Sequence, residues 1–210
     1  MTRTRVKICG FTTVEQAVYA ANQGADAIGL VFYPPSPRHV SIQQAQAIVA
    51  ALPAFINIVA LFVNEDKTII DQVLQQVSIN TLQFHGNESA DDCRGYSLPY
   101  IKAIRMQDDT NIAALSDEYY DAAGLLLDAY HPDTQGGTGE KFDWQLIPKH
   151  CDLPIILAGG LHVDNIDQAI QTVQPYAVDV SSGVEHEKGI KNNNKISNFL
   201  TEVYLSDRHN

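Results

Sequence analysis

The chain has 210 residues, of which 45% are hydrophobic and 19% charged, enough for one substantial core in an ordinary globular domain. A net charge of -11 argues against a nucleic-acid partner, because polyanion binding needs clustered Lys and Arg to replace counterions. Cys9, Cys93 and Cys151 are odd in number and far apart, which points to a reducing, cytoplasmic setting rather than a disulfide framework or a metal site. The opening residues carry no apolar run of signal-peptide length, and no apolar stretch reaches the ~20 residues of a membrane helix.

In chain order, short β-rich apolar runs alternate with longer segments whose apolar residues fall at helical spacing. Val6 to Cys9 reads as the first strand. Thr12 and Glu15 then suit a capping box, and Val14, Ala17, Val18 and Ala21 supply the helix's buried face before Gly24 stops it. Ala27 to Phe32 is the second strand, with a helix from Ser41 to Leu52. Ile56 to Val63 is the third, followed by a helix from about Glu65 to Val77. Leu82 to His85, Tyr100 to Arg105, and Gly124 to Asp128 are strands four to six. Their helices are expected near Ser89 to Tyr96, Asn111 to Asp117, and Trp144 to Lys149. Pro154 to Ala158 and Ala177 to Val180 complete the strands, with helices at Val163 to Val173 and Ile196 to Tyr204. Asn192 to Asn194 falls in the loop or frayed start of that last helix.

Leu125-Leu126-Leu127 and Ile155-Ile156-Leu157 are continuously apolar, as parallel strands buried on both faces must be. Eight such units without a break in composition predict one domain over residues 1–210, a closed eight-stranded parallel (β/α)8 barrel of the TIM type. In that fold the loops after the strands form the active face. Cys9, Arg38, His85, Asp128, Gly159-Gly160 and Ser181-Ser182-Gly183 all fall there.

Glycines let backbone N–H groups approach an anion, and barrels commonly build a phosphate site from loops seven and eight. Gly159, Gly160, Ser182 and Gly183 stand at those two loops, although each loop alone also reads as a tight turn. Cys9 and Asp128 are the reactive candidates. Cys9 acts as a base only once deprotonated, and Lys7 shares its strand face and can help. The competing reading makes Cys9 a small packed side chain and Asp128 a hydrogen-bonded structural carboxylate. Arg38 follows the stiff Tyr33-Pro34-Pro35-Ser36-Pro37 loop and is suited to clasp a carboxylate with parallel hydrogen bonds.

Together these segments resemble the phosphoribosylanthranilate isomerase family of tryptophan biosynthesis. The resemblance runs through Val6-Lys7-Ile8-Cys9-Gly10, Ser36-Pro37-Arg38-His39-Val40 and Leu82-Gln83-Phe84-His85-Gly86. It continues through Leu126-Leu127-Asp128, Gly136-Gly137-Thr138-Gly139, Phe142-Asp143-Trp144, Leu157-Ala158-Gly159-Gly160-Leu161 and Asp179 to Glu185. It implies an Amadori rearrangement of N-(5-phosphoribosyl)anthranilate to 1-(2-carboxyphenylamino)-1-deoxyribulose 5-phosphate, with neither cofactor nor metal. By the same resemblance Asp128 is the general acid and Cys9 the general base. Arg38 would bind the anthranilate carboxylate, and Gly159, Gly160, Ser182 and Gly183 would hold the phosphate. Asn192 replaces an Asp common in the family and suits a helix cap equally well. His85 and Asp179 face the site without an assigned role, and His85 reads equally as structural.

The rivals are another sugar-phosphate aldose–ketose isomerase on the same barrel, and a non-catalytic phosphosugar-binding barrel. The histidine-pathway relative characteristically carries Asp where Cys9 stands. The expected partner is a small phosphosugar, with no membrane and no nucleic acid, and the assembly a monomer or homodimer.

Overall fold

The computed structural model describes residues 3–129 and 143–208. The eight barrel strands are β1 (Arg5–Cys9), β2 (Ala27–Val31), β3 (Asn57–Phe62), β4 (Thr81–Phe84), β5 (Tyr100–Met106), β6 (Gly124–Ala129), β7 (Ile155–Leu157) and β8 (Ala177–Val180). They pair in sequence order, all parallel, and β8 closes on β1 through Arg5↔Ala177, Val6↔Val178, Lys7↔Asp179 and Ile8↔Val180. The expected closed barrel is therefore what the chain forms.

Helices α1 (Val14–Asn22), α2 (Ile42–Ala51), α3 (Lys67–Gln76), α4 (Ala90–Cys93), α5 (Ile112–Glu118), α6 (Ile166–Val173) and α7 (Asn193–Ser206) lie between or after the strands. Their apolar faces join the outward faces of the strands in one continuous core that includes Ile8, Ile28, Leu82, Leu125, Val178 and Phe199. Phe199 on α7 is wholly buried, the kind of side chain whose truncation costs ~3–5 kcal/mol. Inside the barrel a second layer packs Ile101, Ala103, Leu126, Ile156, Ala158 and Ala177. Towards the C-terminal mouth Cys9, Val31, Leu61 and Val63 form a third cluster. At the opposite rim the segments before β1 and after α7 meet, where the backbone N–H and hydroxyl of Thr4 donate to Asp207 at 2.8 and 2.7 Å.

Several local expectations give way to side-chain chemistry. Thr13, not Thr12, caps α1 by accepting from Gln16, because the Thr12 hydroxyl donates instead to the Gly189 carbonyl at 3.0 Å. The helix expected over Trp144 to Lys149 is a single 3-10 turn, Trp144–Leu146. Pro148 disfavours helical backbone at Ile147 and stops it there. Asn165 takes the His162 N–H into a turn, so α6 begins at Ile166 rather than Val163. The helix after β4 keeps only Ala90–Cys93 and is followed by Gly95 with φ 87°. Asn192 does cap the last helix, accepting from Lys195 at 3.1 Å, and Asn193 already lies inside it. A small antiparallel pair, β9 (Glu185–Glu187) with β10 (Ile190–Lys191), was not foreseen.

Candidate active site

Side chains alternate across a strand, so register decides what meets inside the barrel. Lys7 pairs with Asp179, Cys9 with Gly29, Leu61 with Gln83, and Arg105 with Asp128. These positions share the parity of the inner apolar layer, which turns Cys9, Gln83, Arg105 and Asp128 into the barrel. Cys9 and Asp128 reach a cleft that is also lined by Arg38, His85, Gly160 and Ser182. Val31, Tyr33, Leu61 and Val63 give one side of it an apolar wall. A cleft of that mixed character suits a ligand with an aromatic ring and polar ends.

Cys9 is 5% exposed. Burial pushes its thiol above the ordinary range; Lys7 and Lys191 pull it down and Asp179 pushes it up again, and burial prevails. The resting side chain is a thiol, so the help expected from Lys7 is real in direction but does not dominate. Lys7 donates to both Asp179 oxygens at 3.0 Å. Burial opposes its charge, yet Asp179 and Cys9 outweigh it and raise its pKa, keeping an ammonium beside the sulfur.

Asp128 near the end of β6 is held at both oxygens. Oδ1 accepts the Ala129 N–H at 2.9 Å, and Oδ2 lies 3.1 Å from His85 Nε2. Its remaining lone pairs are those available to a proton or a ligand.

Arg38 makes the two parallel bonds expected of it, but to this chain's own Glu185: Nε donates at 2.7 Å and Nη2 at 2.8 Å. Nη1 forms no hydrogen bond among the described residues and is the donor left for a ligand. Glu185 also accepts from Lys191 Nζ at 2.9 Å, and Lys191 donates to the Ser181 carbonyl at 3.1 Å. The carboxylate thus ties the second loop to the strand pair following β8 and fixes the guanidinium.

Loops seven and eight meet as a cradle. Gly159 has φ 78°, and a Cβ there would overlap the Ala129 amide. A Cβ on Gly183 would overlap the Leu161 carbonyl, so glycine alone lets the two loops touch. The Ser182 hydroxyl and the N–H groups of Gly160 and Gly183 bond to no other group among the described residues. Such unpaired donors at one end of a cleft suit a phosphate. Ser181 is occupied otherwise, donating to the Cys9 carbonyl at 3.0 Å.

Of the predicted site residues, Cys9, Arg38, Asp128, Gly159, Gly160 and Ser182 line the cleft, and Gly183 packs behind them against Leu161. The Gly136-Gly137-Thr138-Gly139 motif and Phe142 lie outside the described residues. Sequence reasoning missed Glu185 and Lys191 as partners, since Glu185 meets Arg38 from 147 positions away. It also missed Gln83 and Arg105, although a polar side chain on the inward parity of an apolar strand is a readable signal. Among the described residues no group of three His, Cys, Asp or Glu side chains is placed to hold a metal ion. No helix among them is long and apolar enough to cross a membrane.

Comparison with known proteins agrees with this geometry. The curated N-(5'-phosphoribosyl)anthranilate isomerase of Azotobacter vinelandii is 54% identical over 203 residues, covering 97% of this chain and 98% of the relative. The protein of that name from Pseudomonas savastanoi pv. phaseolicola is 54% identical over 204 residues, covering 97% and 99%. Among solved structures, phosphoribosyl anthranilate isomerase from Thermotoga maritima superposes with a TM-score of 0.88 at 38% identity, covering 96% of this chain and 98% of the other. A second, in complex with reduced 1-(o-carboxyphenylamino)-1-deoxyribulose 5-phosphate, gives 0.85 at 37% over the same shares. The family model for N-(5'-phosphoribosyl)anthranilate (PRA) isomerase matches residues 6–202, and the chain belongs to that family.

Proposed function

We infer that this chain isomerises N-(5-phosphoribosyl)anthranilate to 1-(2-carboxyphenylamino)-1-deoxyribulose 5-phosphate, using Asp128 as general acid and Cys9 as general base. One observation carries the assignment of roles. A thiol on β1 and a carboxyl on β6 border the same cleft, which also contains Arg38 and the cradle at Gly160 and Ser182. The cradle takes the phosphate with backbone N–H groups of Gly159, Gly160 and Gly183 and the Ser182 hydroxyl. Arg38 Nη1 reaches the anthranilate carboxylate, and the apolar wall takes the ring. The sugar is thereby held between acid and base.

Asp128 gives its proton to the furanose ring oxygen as the C1′–O bond breaks, and the nitrogen lone pair forms the Schiff base. Cys9 first gives its thiol proton to solvent and then, as thiolate, removes the C2′ proton, and the freed electron pair closes the enolamine. Proton movement from the enol oxygen to C1′ yields the ketone. Cys9 is then a thiol again and Asp128 ionised, and the proton released earlier by Cys9 returns from solvent to Asp128 to restore the starting state. The protein works as one catalytic domain over residues 1–210 in the cytoplasm, as a monomer or homodimer, on a small phosphosugar and not on nucleic acid. Its place is the biosynthesis of tryptophan.

The test is complementation of a tryptophan auxotroph lacking this step, with purified-enzyme kinetics alongside. Wild type should restore growth. Cys9→Ser and Asp128→Asn should each lose at least ~10²- to 10⁴-fold in kcat, the usual contribution of general acid–base catalysis. Full activity in either variant removes that residue's role, and failure of the wild type removes the substrate assignment.

A further inference from the structure

The inner layer of the barrel contains one side chain that packing does not explain. Gln83 on β4 is wholly buried, pairs in register with Leu61 and Ile101, and leaves its Oε1 without a hydrogen bond among the described residues. A buried amide oxygen with no partner is costly, and an apolar side chain would fill the same place without that cost. Its side chain makes one hydrogen bond among the described residues: Nε2 donates to His85 Nδ1 at 2.8 Å.

That single bond decides where the imidazole proton sits. With Nδ1 accepting, a neutral ring carries its hydrogen on Nε2, and Nε2 faces Asp128 Oδ2 at 3.1 Å. The other Asp128 oxygen already accepts the Ala129 N–H. Both donors thus point at the atoms on which negative charge grows when a carboxyl group gives up its proton. The adjacent Arg105 guanidinium forms no hydrogen bond to that carboxyl, and Lys7 is committed to Asp179. His85 is the one side chain that bonds Asp128 among the described residues.

We propose that Gln83 and His85 are positioning residues that hold an N–H on Asp128 and stabilise its carboxylate as the proton leaves. This rests on the reading of Asp128 as the general acid. No proton leaves the imidazole: the Asp128 proton passes to the ring oxygen, and the Nε2–H bond strengthens as the charge develops. Such a preorganised donor acts in the transition state and not in substrate binding, so its effect falls on kcat.

The experiment compares His85→Leu, His85→Gln and Gln83→Leu with wild type by steady-state kinetics, and reads the His85 tautomer by 15N NMR. Wild type should show the hydrogen on Nε2. His85→Leu should lower kcat by about 10- to 100-fold, the worth of one hydrogen bond to a charged group, with KM changed less than about twofold. His85→Gln, which keeps an N–H donor, should recover part of that loss. In Gln83→Leu the hydrogen should shift towards Nδ1, with kcat lowered by less than in His85→Leu. A wild-type ring protonated on Nδ1 alone overturns the proposal without reference to activity. So does equal loss in His85→Leu and His85→Gln, or a loss expressed in KM. Full activity in Asp128→Asn would instead remove the acid assignment itself, so the two failures are distinguishable.

Discussion

Removing the Glu185 carboxylate should both destabilise the barrel and loosen the substrate end of the site. The side chain is 5% exposed and accepts from Arg38 twice, at 2.7 and 2.8 Å, and from Lys191 at 2.9 Å. In Glu185→Ala the wholly buried Lys191 ammonium keeps only Ser181, at 3.1 and 3.3 Å, and Arg38 loses its clasp. Breaking a buried pair by deleting one partner costs about 3–5 kcal/mol. At about 2–4 °C per kcal/mol for a chain of this size, Tm should fall by roughly 6–20 °C. Thermal melts and urea titrations followed by circular dichroism read this directly. The acid limb has a defined sign. Burial alone would raise the Glu185 pKa, but the bonds from Arg38 and Lys191 outweigh it and hold the group below the ordinary glutamate range. Its stabilisation is therefore complete above about pH 4.3, the unfolded value, and is lost as pH falls through the lower folded value. Glu185→Ala should remove that part of the pH dependence. Glu185→Leu combined with Lys191→Met, which leaves no orphaned ammonium, should regain much of the Tm. A loss under about 1 kcal/mol in Glu185→Ala would mean the cluster behaves as a surface ion pair and would refute the reasoning.

Burial keeps Cys9 a thiol with a raised pKa, so the thiolate absorbance near 240 nm that is lost in Cys9→Ser should climb with pH and level off only above about 8.5, the ordinary thiol value. Lys7→Met, which removes a group that lowers that pKa, should move the limb further up; a plateau already reached at pH 7 would contradict both statements. Arg38→Ala should raise KM by about 10- to 100-fold with a smaller change in kcat, as loss of a charge-assisted bond to the carboxylate implies. An unchanged KM counts against that contact. Gly183→Ala must push loop eight off the Leu161 carbonyl, so inhibition by inorganic phosphate should weaken, with a stability loss of about 1–3 kcal/mol. Undiminished phosphate inhibition would place the anion elsewhere.

The barrel was legible because its signals are local and repeated. Leu125 to Leu127 must be buried on both faces whatever surrounds them, and Ser41 carries its capping box with Gln44 in plain sight. What escaped depends on partners distant in sequence or on competition for one hydroxyl. Thr12 is a good cap by type, but the Gly189 carbonyl takes its hydroxyl from across the barrel rim. Glu185 to Lys191 is short and polar, and forms β9 and β10 around the very carboxylate that fixes Arg38. Which residues meet at the cleft was readable from residue type and strand end: Cys9 and Asp128 both line it. Its electrostatics were not, because whether Lys7 or burial governs the thiol is settled by depth inside the barrel and not by spacing along β1.

The Thr4–Asp207 contact has a topological consequence. With Thr4 and Asp207 stitched together at one rim, the stretch before β1 and the stretch after α7 are neighbours in space, and the order of the units along the chain is of little importance to the fold. A short bridge across that seam would permit fresh ends to be opened in the solvent-facing stretch at Pro53 to Phe55, between α2 and β3. That opening lies at the end of the barrel away from the catalytic cleft. The order in which the eight units are read out could thus be rotated while Cys9 and Asp128 stay where they are.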